Sequence, residues 1–145
     1  MTVDAGVPLP DRDCELLRPY WDAAARGEWR LPRCTGCGRF AWYPEAECDH
    51  CGGADFDWEL LSGRGRVFSF VIVRRALYAP FAGLVPYVSG IVTLDEDPRV
   101  RIVTRFLDTD PDSIAIDMPV KVRFADFGYP LTSTGVVGPF WEIDT

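Results

Sequence analysis

Four of the chain's five cysteines stand as two Cys-x-x-Cys pairs, Cys34/Cys37 and Cys48/Cys51, with ten residues between them in CTGCGRFAWYPEAECDHC. Tetrahedral Zn2+ takes four soft ligands at about 2.3 Å, and two such pairs on facing turns supply all four. Glycines within or just after each pair suit the tight loops that this needs. The spacing therefore predicts a zinc ribbon over 34–58, with Cys34, Cys37, Cys48 and Cys51 as ligands. The run RFAWYP after the first pair is expected to form one arm of it.

Catalytic zinc keeps a coordination position open, whereas four thiolates close the shell, so the zinc is read as structural. His50 is the chain's one histidine and lies inside the second knuckle, between Asp49 and Cys51, where it is expected to point outward. A histidine-based triad would have to use that residue, held in a rigid metal loop. SGRGR (62–66) is too short for a phosphate cradle and leads into a strand rather than a helix. No residue of this chain is therefore assigned a catalytic role. Cys14, outside the cluster, reads as a small buried hydrophobe.

At 145 residues and 16.3 kDa the chain is one ordinary domain's worth of sequence, and 48% hydrophobic residues suffice for a packed core. The net charge of −7 and sequence pI of about 4.6 argue against a surface that tracks phosphates. MTVDAGVPLPDRD has neither a basic nor an apolar leader segment, and no stretch has the length of a membrane span. The expected setting is the cytoplasm, where thiols stay reduced and ligate metal rather than pair.

Residues 1–12 read as a flexible lead-in and 13–33 as an N-terminal helical segment, a helix or helical hairpin. Leu16, Leu17, Tyr20, Trp21 and Ala24 recur at helical spacing with Gly27 as a stop. Pro19 suits a first turn, which places the main helix on PYWDAAARGE after a shorter turn at 13–18. Residues 59–145 have period two. In RVFSFVIV, Val67, Ser69, Val71 and Val73 are expected on one face and Phe68, Phe70 and Ile72 on the other. YVSGIVTL, RVRIVTRFL and VKVRFADF follow, separated by acidic, proline-bearing turns, with a last strand near GPFWEI. Five strands without intervening helices make a mainly β chain ending in a Greek-key barrel.

The order of these parts resembles a known family. PYWDAAARGEWRLPRC, the four-cysteine ribbon, SGRGRVFSFVIV, PYVSGIVTLDEDPRV and DMPVKVRFADF are similar to the acyl-CoA-associated zinc-ribbon/OB-fold family, formerly described as a domain of unknown function. The resemblance covers about residues 16–143. It implies a rubredoxin-like ribbon followed by a five-stranded OB-fold barrel, with the zinc ligands on the same four cysteines. The family's glycine-rich lead into the first barrel strand falls on Gly63 and Gly65. Its Gly-Met-Pro turn falls on Asp117, Met118 and Pro119, with aspartate in the glycine's place. The chain ends in GPFWEIDT, without the basic residue usual near the family's last proline.

Members of the family look like accessory subunits or fused domains of thiolase-like enzymes and enoyl-CoA hydratases. The resemblance thus implies a non-catalytic scaffold subunit in a thiolase-like complex. That complex would cleave carbon–carbon bonds of acyl-CoA, such as steroid side-chain CoA thioesters, by retro-aldol or thiolytic chemistry, and acyl-CoA would be met indirectly. The apolar loop 74–87 fits either a docking surface or a cap folded over the barrel end. Arg74, Arg75, Tyr78, Phe81 and Tyr87 are its candidate contacts with partner or acyl-CoA. Two other readings stand beside this one. The chain could bind acyl-CoA alone, or it could bind single-stranded nucleic acid through Arg99, Arg101, Arg105, Lys121 and Arg123, against which the net charge of −7 weighs.

Overall fold

The computed structural model describes residues 6–145, so positions 1–5 of the expected lead-in lie outside the described residues. One helix, α1 (Arg18–Ala25), is followed by seven strands: β1 (Arg30–Cys34), β2 (Phe56–Leu60), β3 (Arg64–Val73), β4 (Tyr87–Leu94), β5 (Arg101–Phe106), β6 (Pro119–Asp126) and β7 (Val137–Ile143). A single 3-10 turn, Ala79–Phe81, interrupts the loop between β3 and β4.

The helix begins with proline in its first turn and buries Tyr20, Ala23 and Ala24, at the spacing that sets one helical face against a core. It is a single helix of eight residues, with turns rather than a second helix before it.

β3 to β7 close into a barrel in the order β3-β4-β5-β7-β6. All of its pairings are antiparallel except β5 with β7, which meet in parallel at Phe106 and Trp141. This is the mainly β architecture expected, ending in a five-stranded OB-fold barrel. Val67, Val88, Val92, Leu94, Ile102, Phe106, Val120 and Trp141 fill the interior.

The predicted facing of β3 fails halfway along the strand. Val67 points inward, but the register with β4 shifts between Val67 and Ser69. A bulge adds one residue and so reverses which side chains face the core. Beyond it Phe70 and Ile72 pack against the interior, while Val71 is 61% exposed.

β1 and β2 were not indicated by periodicity. They pair antiparallel from Arg30↔Leu60 to Cys34↔Phe56 and form the stem of the ribbon. RFAWYP, the expected arm, lies beside β1 through a single bridge, Arg33↔Phe40. Strand β2 instead closes the sheet, because Phe56 and Trp58 are half-buried while Asp57 faces solvent.

Aromatic side chains join the three parts. The Tyr20 ring lies 5.4 Å from Trp29 and 4.7 Å from Trp42 of the ribbon, and Trp29 meets Trp141 of β7 edge-on at 5.6 Å. Such pairs add about 0.5–1.5 kcal/mol each beyond the area they bury.

The turn into β3 needs glycine at two places. Gly63 takes φ +72°, and a Cβ there would lie 2.5 Å from Cγ1 of Val122. A Cβ on Gly65 would lie 2.1 Å from the Thr93 carbonyl oxygen across the β3–β4 pair. Gly65→Ala should therefore cost about 2 kcal/mol or more by forcing the strands apart. A urea midpoint lowered accordingly, with zinc content unchanged, is the expected result.

A candidate four-cysteine zinc centre and a pinned barrel end

Cys34 is the last residue of β1, and the knuckle that follows it turns back at once. The Gly38 N–H donates to the Cys34 carbonyl at 2.9 Å, and the Cys34 N–H to the Arg39 carbonyl at 2.8 Å. The second knuckle repeats the pattern: the Gly52 N–H donates to the Cys48 carbonyl at 2.8 Å, and the Cys48 N–H to the Gly53 carbonyl at 2.7 Å. The Thr35 N–H donates to the Asp55 carbonyl at 3.0 Å and ties the first knuckle to the strand leading out.

These turns bring the four sulfurs within 4.8 Å of one another. Cys34 Sγ is 3.5 Å from Cys51 Sγ, and Cys37 Sγ is 3.7 Å from Cys48 Sγ. A tetrahedron of sulfurs about 2.3 Å from a central zinc has edges of about 3.8 Å, whereas a disulfide would need about 2.05 Å. The donor set fits zinc, and all four cysteines are free thiols.

The surroundings favour thiolate at Cys34, whereas at Cys51 the Gly53 N–H is outweighed by the neighbouring thiols and burial, which push the thiol up to about 11. The Gly53 N–H donates to Cys51 Sγ at 3.4 Å. The Cys37 backbone N–H, aided by neighbouring thiols, holds the Cys34 thiol down at about 7 although burial opposes it. Bound there, zinc would hold the ribbon in shape. His50 is exposed on the second knuckle and outside the sulfur cluster, as expected. Cys14, expected to be buried, is half-buried.

At one end of the barrel, Tyr78, Phe81 and Tyr87 form a ladder of edge-on rings with centroids 5.5 and 6.1 Å apart. The loop is covered unevenly. Phe81 and Tyr87 are half-buried, while Leu77 is 95% and Tyr78 46% exposed. Arg74 and Arg75, just past β3, are exposed, and among the described residues they make no ion pair. Tyr87 and Leu84 also wall a pocket of about 170 Å³ with Arg105, Asp108 and Tyr129. Burial pulls the Arg105 guanidinium below its ordinary value, and it donates to the Tyr129 carbonyl at 3.1 Å. Asp108 accepts from Arg123 at 2.6 Å and from the Tyr129 hydroxyl at 2.7 Å.

Periodicity does not mark a second clamp, built on Asp126 at the end of β6. The Asp126 carboxylate accepts from the N–H groups of Gly128 at 2.7 Å and Gly135 at 2.8 Å, and from the N–H and hydroxyl of Thr134 at 2.9 Å. It thereby closes the loop between β6 and β7. An aspartate followed by Gly, Ser/Thr and Gly in ADFGYPLTSTGV was the available signal.

Cys37→Ser should abolish chelator-resistant zinc and leave the amides of 34–57 exchanging as unfolded chain, while the barrel stays protected. Metal analysis with hydrogen exchange reads both. The Gly128 N–H foremost, with those of Thr134 and Gly135, lowers the Asp126 carboxyl to about 2. A depressed pKa stabilises the fold above the ordinary carboxylate value of about 3.9 and loses that effect as pH falls through about 2. Exchange at Gly128, Thr134 and Gly135 should therefore accelerate between those limits, beyond the intrinsic pH dependence. Asp126→Asn should accelerate it at neutral pH.

Comparison with known proteins agrees with this architecture. Residues 21–57 match the family model described as ChsH2, rubredoxin-like zinc ribbon domain, and residues 58–125 that described as ChsH2, C-terminal OB-fold domain. A DUF35 domain-containing scaffold protein of Methanothermobacter thermautotrophicus is 33% identical over 111 residues, which cover 76% of this chain and 81% of that protein. The 3-oxo-4,17-pregnadiene-20-carboxyl-CoA hydratase alpha subunit of Mycobacterium tuberculosis is 35% identical over 121 residues, covering 83% of this chain. A probable enoyl-CoA hydratase alpha subunit of Thermomonospora curvata is 31% identical over 113 residues, or 78% of this chain. The matches span only 36% and 34% of those two subunits.

Among solved structures, a chain of the Ltp2-ChsH2(DUF35) aldolase superposes with a TM-score of 0.77 at 26% identity, over 94% of this chain and 98% of that one. A DUF35-family protein of unknown function from Sulfolobus solfataricus shares the fold, with a TM-score of 0.61 at 11% identity over 90% of this chain and 87% of that one. With its four-cysteine ribbon and closed barrel matched in order, the chain belongs to the DUF35 family of ChsH2-type zinc-ribbon/OB-fold proteins.

Proposed function

We propose that this chain is a non-catalytic accessory subunit of a thiolase-like acyl-CoA complex. The observation that supports this most is the likeness to the DUF35 chain of an aldolase, which runs over 94% of this chain and 98% of that one. A steroid CoA named for the mycobacterial hydratase relative points to an acyl-CoA with a bulky polycyclic chain. The reaction we assign is carbon–carbon bond cleavage, retro-aldol or thiolytic, with nucleophile and base on the partner and the complex in the cytoplasm. Among the described residues no helix is long and apolar enough to cross a membrane.

The chain's own contribution is a rigid surface. Apolar side chains left in water favour burial at about 25 cal/mol per Å2, and here Leu77 is exposed while the exposed Tyr78 ring packs edge-on against half-buried Phe81. Arg74 and Arg75 add two charges free to meet an anionic partner surface or the phosphates of CoA. We assign Arg74, Arg75, Tyr78, Phe81 and Tyr87 to this contact.

Co-expression with a thiolase-fold subunit of the same genome tests the reading. The two should co-purify, and the partner alone should be less active or less stable. Leu77→Asp with Tyr78→Ala should weaken the complex roughly tenfold or more while zinc content stays unchanged. A partner that does not co-purify and is equally active alone would refute the proposal.

A further inference from the structure

Acidic residues outnumber basic ones in this chain by 22 to 15, yet they are absent from three consecutive barrel strands. β3, β4 and β5 contain Arg64, Arg66, Arg101 and Arg105 and no Asp, Glu or Lys. Arg64 is neutralised by Asp144, and Arg105 turns into the barrel-end pocket. Arg66 and Arg101 remain on the outer face, and among the described residues neither pairs with a carboxylate. Arg66 donates only to the Asp117 carbonyl, at 2.8 Å, and Arg101 lies over the Phe68 ring at 4.0 Å.

Both arginines stand opposite Thr93, and an aliphatic stripe lies beside that row. Register sets Ser69 opposite Ile91 and Ile91 opposite Val103, while Val71 stands opposite Ser89, two residues before Ile91. Residues directly opposite share a face, as do residues two apart on a strand. Ile91, Val103 and Val71 therefore face outward together, and Val71 and Val103 are each 61% exposed. The bulge after Val67 is what turns Val71 to this side.

We infer that the outer face of β3–β4–β5 is a second docking surface, one that takes an acidic, aliphatic-bearing segment of the thiolase-fold subunit. The inference rests on the accessory-subunit reading and extends its contact from the loop onto the sheet. Charge complementarity selects the occupant. A second copy of this chain, packed face to face, would bring like guanidiniums together, which costs affinity. Single-stranded nucleic acid needs stacking platforms, but Phe68 is covered by Arg101, and Tyr87 at the end of β4 is half-buried against Phe81. Aliphatic side chains gain burial against other aliphatic side chains, and carboxylates pair with guanidiniums.

The test measures affinity of the full chain for the co-purifying thiolase-fold subunit against salt concentration, with Val71→Asp/Val103→Asp and Arg101→Glu alongside wild type. Zinc content and near-ultraviolet circular dichroism establish that each variant is folded. The double variant should bind at least about thirtyfold more weakly. Arg101→Glu should bind about tenfold more weakly and lose much of the salt dependence. Wild-type affinity in both folded variants would overturn the sheet-face inference and leave the accessory-subunit reading intact, whereas a wild-type chain that binds no such subunit would overturn both. Self-association abolished by the double variant, or retention of a single-stranded oligonucleotide abolished by Arg101→Glu, would also overturn it.

Discussion

The ribbon has almost nothing but sulfur to hold it. Between Cys34 and Asp57 the buried hydrophobic side chains are those of Cys34 and Cys48. A segment that small cannot stabilise itself by burial, and a structural metal replaces the missing core. The geometry has the form that substitution requires: two tight knuckles, sulfurs within 4.8 Å, and backbone N–H groups turned toward them. With the knuckles fixed, β1 and β2 are held in register, and Phe40, Trp42 and Trp58 reach the main core.

That same core makes ribbon, helix and barrel one body. Tyr20 touches Trp21, Trp29 and Trp42, and Trp29 passes the contact to Trp141, which is fully buried at the centre of β7. A rigid body of this kind suits the proposed role of presenting surface to a partner. What it presents is uneven: a barrel end with exposed Leu77 and Tyr78, and a sheet face with arginines and no acidic residue. The overall acidity of the chain hides both features.

The parts legible in the sequence are those governed by spacing or local backbone geometry. Two Cys-x-x-Cys pairs announce the ribbon, and period-two alternation marks the barrel strands to within a residue or two of their ends. Asp117 stands where the family's turn carries glycine and adopts φ +68°, a conformation aspartate tolerates better than most residues. What escaped depends on tertiary contacts. A bulge leaves no trace in an alternating run such as RVFSFVIV, yet it decides whether Val71 or Ile72 meets the core. RFAWYP looks more strand-like than FDWEL, but β1 takes FDWEL as its partner because the chain returns there after the second knuckle. Asp126 closes its loop across nine residues of sequence, a span longer than a single turn motif covers.

The central claim is that the metal centre is a closed clamp, which leaves docking rather than chemistry as the chain's contribution. X-ray absorption at the zinc edge of the complex tests it most directly. The account predicts four sulfur scatterers at about 2.3 Å and no nitrogen or oxygen in the first shell. A shell of three or fewer sulfurs with a light-atom ligand would contradict it, because an open position would give the zinc a place in the reaction.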